Sequence, residues 1–174
     1  ASGRARVLDL MPLGDTNSVI RIVEGLAGET SFEMDLVLRF DYGRSVPWVE
    51  KIDLLTLSAV AGPDRLILSS SVATHAWDHH TGVRFRVAAG ERQVFSLRHQ
   101  PSHLPVQPDC DLDEAFVHTL NEWQTFAGRC PDVGRYSAQV RRSLITLKAM
   151  TYAPTGGIVA AVTGLLAETD GFIL

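Results

Sequence analysis

A chain of 174 residues, 45% hydrophobic and 21% charged, is long enough to bury one sizeable core and is ordinary in composition for a globular protein. Its 16 Lys and Arg against 20 Asp and Glu give a formal charge of -4. Neither sign forms a long block, which argues against nucleic acid as a partner, because that requires a concentrated basic face. No apolar run reaches the roughly eighteen residues of a membrane-spanning helix, and the opening ASGRARVLDL lacks the charged-then-apolar layout of a signal peptide. A soluble, cytoplasmic protein with no membrane partner is expected.

In chain order, a strand pattern is already present by Val7. The β-branched segment Val19 to Gly25 is bounded by Gly14-Asp15-Thr16-Asn17 and by Gly25 to Gly28, and predicts a strand. Phe32, Met34, Leu36, Leu38 and Phe40 alternate with Glu33, Asp35, Val37, Arg39 and Asp41, the period of a strand with one face on a core. Further strands are predicted at Pro47 to Ile52, Thr56 to Val60 and Arg65 to Ser69, the last two joined by a turn at Gly62-Pro63-Asp64. A hairpin follows, with Val83 to Val87 and Gln93 to His99 joined at Ala88-Ala89-Gly90-Glu91. Short strands separated by turn signals, with no helix between them, predict an antiparallel sandwich.

Pro101, Pro105 and Pro108 punctuate a linker, after which the period becomes helical. Asp111 or Asp113 can cap a helix carrying Leu112, Phe116, Leu120, Trp123 and Ala127 on one face. A break at Gly128 to Gly134 precedes a second helix with Tyr136, Val140, Leu144, Leu147 and Thr151 on one face, widened by Ile145 and Met150, ending before Pro154 and Gly156-Gly157. That stripe is too broad for one neighbouring helix, and an unsatisfied apolar patch marks a contact surface. Self-association through residues 136–151 is one expected outcome. Residue 1 is Ala rather than Met and the chain stops on Phe172-Ile173-Leu174, so both ends are expected to be cut.

His75, Asp78, His79 and His80, in THAWDHH, are of metal-ligand type, and on one strand His75 and His79 would share a face. Without a ligand-spacing motif, loop and strand-end histidines bonded to backbone or water are the favoured reading. Asp109, Asp111, Asp113 and Glu114 suit a helix N-terminus, where negative charge is stabilising. Arg141 and Arg142 read as a solvated helix face, and Trp48, Trp77 and Trp123 as buried residues rather than sugar platforms. Cys110 and Cys130 lie outside any ligand spacing and read as free thiols, with a disulfide left open. Gly156-Gly157 follows a helix and lacks the remainder of a phosphate loop, and no nucleophile motif is present.

The stretches MPLGDTNSVIRIVEGL, MDLVLRFDYGRSVPWVEK, LSAVAGPDRLIL and RRSLITLKAMTYAPTGGIVAA resemble the bacterial trehalase-like and glucoamylase-like glycoside hydrolases. The resemblance runs in order from about Val7 to Ala161. It implies a β-sandwich at residues 1–100, a linker and linker helix at 101–133, and the start of a barrel of paired α-helices at 134–174. The sandwich would lack its first part, and the barrel nearly all of its helices. The family cleaves α-glucosidic bonds with inversion, using two carboxylates roughly 6.5–9.5 Å apart with a water between them. Both belong to later barrel segments. The resemblance therefore implies no catalytic, substrate-binding or metal-ligating residue and no cofactor in this chain, and the remainder of the barrel as its partner. After Ala161 the sequence reads VTGLLAETDGFIL, where the family continues to a sugar-holding Arg-Asp pair; Thr163, Leu166 and Glu168 could be remnants. The competing reading is an independent sandwich that binds a carbohydrate through Trp48 and Trp77, or a metal through His75, Asp78 and His79.

Overall fold

Alternation makes a strand one-sided, and the nine strands of the described residues sort into two antiparallel sheets according to which faces they can bury. The computed structural model describes residues 3–14, 17–108 and 111–159. The larger sheet has the spatial order β1 (Arg4–Leu10), β2 (Ser18–Ala27), β9 (Arg92–Pro101), β6 (Asp64–Ser70), β5 (Thr56–Ala61) and β4 (Trp48–Lys51). The smaller has β3 (Glu29–Leu36), β8 (His80–Ala88) and β7 (His75–Trp77). Two helices follow, α1 (Leu112–Gly128) and α2 (Ser137–Ala149). The fold is thus mostly antiparallel β with α-helices at its end, as the sequence pattern predicts. Among the described residues no helix is long and apolar enough to cross a membrane.

The chain divides into two compact units, residues 1–115 and 116–174, with the boundary inside α1. In the first, Val23 and Phe95 of the large sheet pack with Val83 and Val87 of the small one, and Phe32, Met34, Val72 and Phe85 close around them. Phe85 lies 5.5 Å from Phe32 and 5.4 Å from Phe95, ring centre to ring centre, so aromatic contacts run from one sheet to the other. The two inner faces therefore form a sandwich core.

The other face of the large sheet is closed as well. Ile20, Ile22, Ile67 and Ser96 are all fully buried, and each is paired across the sheet on that face: Ile20 with Ser96, and Ile67 with Arg98. Part of the cover is the proline-punctuated segment after β9. Arg65 donates to the carbonyls of Ser102 and Leu104, both at 2.7 Å, Arg98 to that of Gln107, and Gln100 to that of Pro105 at 3.0 Å. The Gln100 side-chain oxygen accepts from the Gln107 N–H. A proline-rich stretch cannot satisfy its carbonyls in a ladder, and here three buried or half-buried side chains of β6 and β9 do so instead.

The predicted strand through Phe40 ends at Leu36, because its partner runs out: Leu36 pairs with Thr81 near the start of β8. Phe40 instead bridges Ser45, with Phe40 N–H to Ser45 O at 2.9 Å and the reverse bond at 3.0 Å. Between them Asp41, Tyr42 and Gly43 have φ of 48°, 54° and 86°, a left-handed run that a bulky residue such as Tyr enters only at a cost of roughly 1–2 kcal/mol.

In the second unit, Trp123 and Phe126 of α1 meet edge to face at 6.3 Å. At the other end of α1, in the first unit, the Asp111 carboxylate accepts from the N–H of Asp113 at 3.0 Å and of Glu114 at 3.1 Å. This is an N-cap, and it settles the choice the sequence left between Asp111 and Asp113: Asp113 instead pairs with Arg92. A short 3₁₀ turn, Gly134–Tyr136, leads into α2, in which no residue is fully buried. After α2 the chain doubles back, with Thr151 bridging Ile158 and Tyr152 N–H bonding to Gly157 O at 2.8 Å. Cys130 is a free, half-buried thiol; Asp109, Cys110 and the expected remnants Thr163, Leu166 and Glu168 lie outside the described residues.

Ion pairs decorate the edge of the large sheet. Arg21 grips both oxygens of Asp9, at 2.6 and 2.8 Å, and its hydrogen bond holds the Asp9 carboxyl below the usual carboxylate range. The folded pKa is depressed, so the pair's contribution is complete above the unfolded value and is lost as pH falls through the folded one. Both side chains are about half exposed, which limits the pair to roughly 0.2–1 kcal/mol. Asp9→Asn should destabilise the chain by that amount at pH 7, and the difference should vanish below both pKa values, measured by urea unfolding across pH. Ile67, 1% exposed, tests the two-sided burial: Ile67→Ala should cost about 2–5 kcal/mol in the same assay.

Candidate functional site

The small sheet leaves one face to solvent, and alternation decides what stands on it. From β3 these are Glu29, Ser31, Glu33 and Asp35; from β8, His80, Gly82, Arg84 and Arg86; from β7, His75 and Trp77. Arginines face carboxylates across the strands, and an imidazole faces a third. Arg84 lies 3.0 Å from Glu33, Arg86 3.2 Å from Glu29, and His80 Nδ1 2.8 Å from Asp35.

Trp77 lies within this charged face. Its indole stacks on the His75 ring at 4.9 Å and on the His80 ring at 5.6 Å, with planes inclined by 26° and 18°. The six-membered ring rests over Gly82, where a Cβ would come within 2.7 Å of Trp77 Cη2 and 2.4 Å of the Met34 carbonyl oxygen. Glycine at position 82 is what leaves room for the far edge of the indole. Trp77 is nonetheless 42% exposed, contrary to the expected burial. Trp48, on edge strand β4, is 78% exposed, and corrects that expectation again: β4 has neighbours on one side and no buried residue.

The histidine cluster is not assembled as a single strand would place it. His75 is in β7 and His80 in β8, and Asp78 and His79 form the two-residue turn between them, with φ of 39° and 63°. Both turn residues are left-handed, as a tight hairpin requires, so His75 and His79 do not share a strand face. Among the described residues no group of three or more His, Cys, Asp or Glu side chains is placed to hold a metal ion. The signal for β7 was the Trp-x-x-His spacing around a turn that lacks glycine.

The acidic run resolves into the Asp111 cap and the Arg92–Asp113 pair. Arg141 and Arg142 are exposed on α2. Elsewhere Asp132 caps the 3₁₀ turn, accepting from the Gly134 N–H at 2.9 Å and from the Ser137 hydroxyl, and these bonds hold its carboxyl below the ordinary range.

No family model matches the chain. A curated trehalase of Mycobacterium tuberculosis is 28% identical over 160 residues, covering 87% of this chain and 23% of the relative. A trehalase of Thermoplasma volcanium is 24% identical over 171 residues, covering 95% of this chain and 27% of the relative. The chain thus spans about a quarter of the length of these curated relatives. Among solved structures, a putative kojibiose phosphorylase from the human microbiome aligns with a TM-score of 0.37 and 11% identity over 85% of this chain and 21% of its own. The resemblance to trehalase-like glycoside hydrolases carried by the sequence motifs is matched by two curated trehalases over most of the chain.

Proposed function

We propose that this chain is the sandwich and first helical portion of a larger, trehalase-like or glucoamylase-like cytoplasmic glycoside hydrolase that cleaves α-glucosidic bonds with inversion, and that it supplies no catalytic group. The similarity to trehalases over most of the chain carries this reading. In it, residues 1–100 are the sandwich, 101–133 the linker and 134–174 the start of the barrel, whose remaining helices are the natural partner of α2.

Among the described residues, the environment of several carboxylates is compatible with this reading. A glycosidase's general acid must hold its proton near neutral pH, which takes a raised pKa, with a second carboxylate at a set distance. The carboxyls displaced here are displaced the other way: Asp9 by Arg21, Asp53 by the Leu55 N–H, and Asp132 by the Ser137 hydroxyl. Glu24, Glu29 and Glu33 are held by arginines and Asp64 by His99. These groups are engaged in structural pairs along strand faces.

Two measurements test the reading. Purified protein should release no glucose from trehalose, maltose or starch; turnover abolished by replacing one of its own carboxylates would overturn it. The second concerns α2, whose Leu147 is exposed and whose Leu144 is only half-buried. Apolar surface left in water forgoes roughly 25 cal/mol per Å², so the isolated chain should self-associate through residues 136–151. Leu144→Glu with Leu147→Glu should lower the association measured by sedimentation while the sandwich's thermal transition persists. Loss of that transition would instead make α2 part of the sandwich's own stability.

A further inference from the structure

We propose that the free edge of β4 pairs with the same edge of a second copy of this chain, about a two-fold axis through Val49. β4 ends the large sheet, so among the described residues one of its sides has no partner strand. What that side offers follows from the ladder on the other. Ile52 N–H bonds to Thr56 O at 3.0 Å, and the register runs unshifted through Glu50 with Ser58 and Trp48 with Val60. Antiparallel pairs alternate between bonded and non-bonded, so Trp48, Glu50 and Ile52 direct their amides at β5 while Val49 and Lys51 present theirs outward. Val46, Trp48, Ile52, Leu54 and Leu55 are all exposed along the same stretch. An unpaired edge carrying apolar side chains is a template for another strand.

The sequence of the edge selects the register, and the register suits a second copy. A two-fold axis normal to the sheet keeps each side chain on its own face, so a residue can stand opposite only one of its own parity. Centring on Glu50 sets Glu50 against Glu50, and centring on Lys51 sets Lys51 against Lys51, both like-charge pairs that destabilise. Centring on Trp48 brings Lys51 to Ser45, whose N–H and C=O are already bonded to Phe40. Centring on Val49 meets none of these obstacles. Val49 then bonds its counterpart through both N–H and C=O, and Lys51 N–H reaches the Pro47 carbonyl. Ile52 lies opposite Val46 and Trp48 opposite Glu50, with the two indoles in diagonal reach of one another. Pro47, which has no N–H, ends the ladder. Because both copies use the same edge, the pair closes on itself and does not propagate.

Sedimentation of the full chain carrying Leu144→Glu and Leu147→Glu, which takes the α2 stripe out of play, should still show a concentration-dependent dimer. Val49→Pro removes an outward amide and leaves the β5 ladder whole; it should weaken that dimer at least tenfold with the thermal transition kept. Trp48→Glu, which sets carboxylates opposite one another, should do the same, while Trp48→Lys should retain the dimer. The register is read directly with α2 unaltered, in a chain with Cys110→Ser and Cys130→Ser. A bonded antiparallel pair holds its Cα atoms about 5.5 Å apart, within disulfide range. Oxidation should therefore link Val49→Cys into a covalent dimer and leave Glu50→Cys unlinked. A chain that is monomeric at every concentration once the α2 stripe is removed, a dimer undiminished by Val49→Pro, assemblies larger than a dimer, or linkage through Glu50→Cys in place of Val49→Cys would each overturn the proposal. It does not rest on the trehalase-like reading, which the glucose-release assay tests separately.

Discussion

The first unit depends on β9 pairing with two strands at once. Its residues meet β2 on one edge, Leu97 opposite Val19, and β6 on the other, Leu97 opposite Leu68. The β2 contacts join segments far apart in sequence, from Glu24 with Arg92 to Ser18 with Arg98, a long loop to close before its burial repays the entropy. Once β9 is in place its alternation serves both sides of the large sheet. Phe95 enters the core between the sheets, while Ser96, Arg98 and Gln100 turn to the opposite face. Arg98 and Gln100 there bind the carbonyls of the segment that follows. A polar side chain that far inside is costly unless bonded, and the proline-rich segment, short of ladder partners, supplies the acceptors. Each solves the other's deficit.

Glycines set where chain segments can touch, as at Gly82 and Gly25. At Gly82 a side chain would collide with the Met34 carbonyl and the Trp77 ring, and at Gly25 with the Ala88 carbonyl, 1.9 Å from where a Cβ would sit. Neither position requires an unusual φ; what they require is absence of volume. The turns ask for the opposite property. Asp41, Tyr42, Asp78 and His79 adopt left-handed backbone despite carrying side chains. At residues 78–79 two left-handed positions give a two-residue turn whose twist matches that of the flanking strands.

Most of the strands were legible because their periodicity has a single physical origin, one face in and one out. β3 and β8 follow it closely, with Phe32, Met34 and Val83 inward against Glu33 and Arg84 outward. The helices were legible through their own period, an acidic cap at Asp111 or Asp113, which the structure places at Asp111, and the break at Gly128 to Gly134. What escaped was non-local. The stop of β3 at Leu36 depends on where β8 begins, at His80, far along the chain and in neither strand's own pattern. The hairpin of β7 escaped because Asp-His is a weak turn signal beside Asn-Gly or Asp-Gly. That miss mattered for the site. With the hairpin unseen, His75, Trp77 and His80 could not be placed on one surface, and Trp77 defaulted to the core.

The distribution of burial also decides where a binding surface can exist on the sandwich. The central strands of the large sheet are committed on both faces, through Ile20, Ile22 and Ile67 on one and Leu66, Leu68 and Phe95 on the other. A substitution there must satisfy close packing before it can serve recognition. The outer face of the small sheet carries no such constraint, since its cross-strand partners need only match one another in charge. Glu33 with Arg84 meets that requirement and Asp35 bonds the His80 ring, but the stacking of the Trp77 indole on His75 and His80 does not follow from it. Nor does it follow from stability alone, because Trp77 gives up burial that an inward position would provide. A packing surface for another domain would be expected to present apolar side chains, as β4 does with Trp48 and Val49.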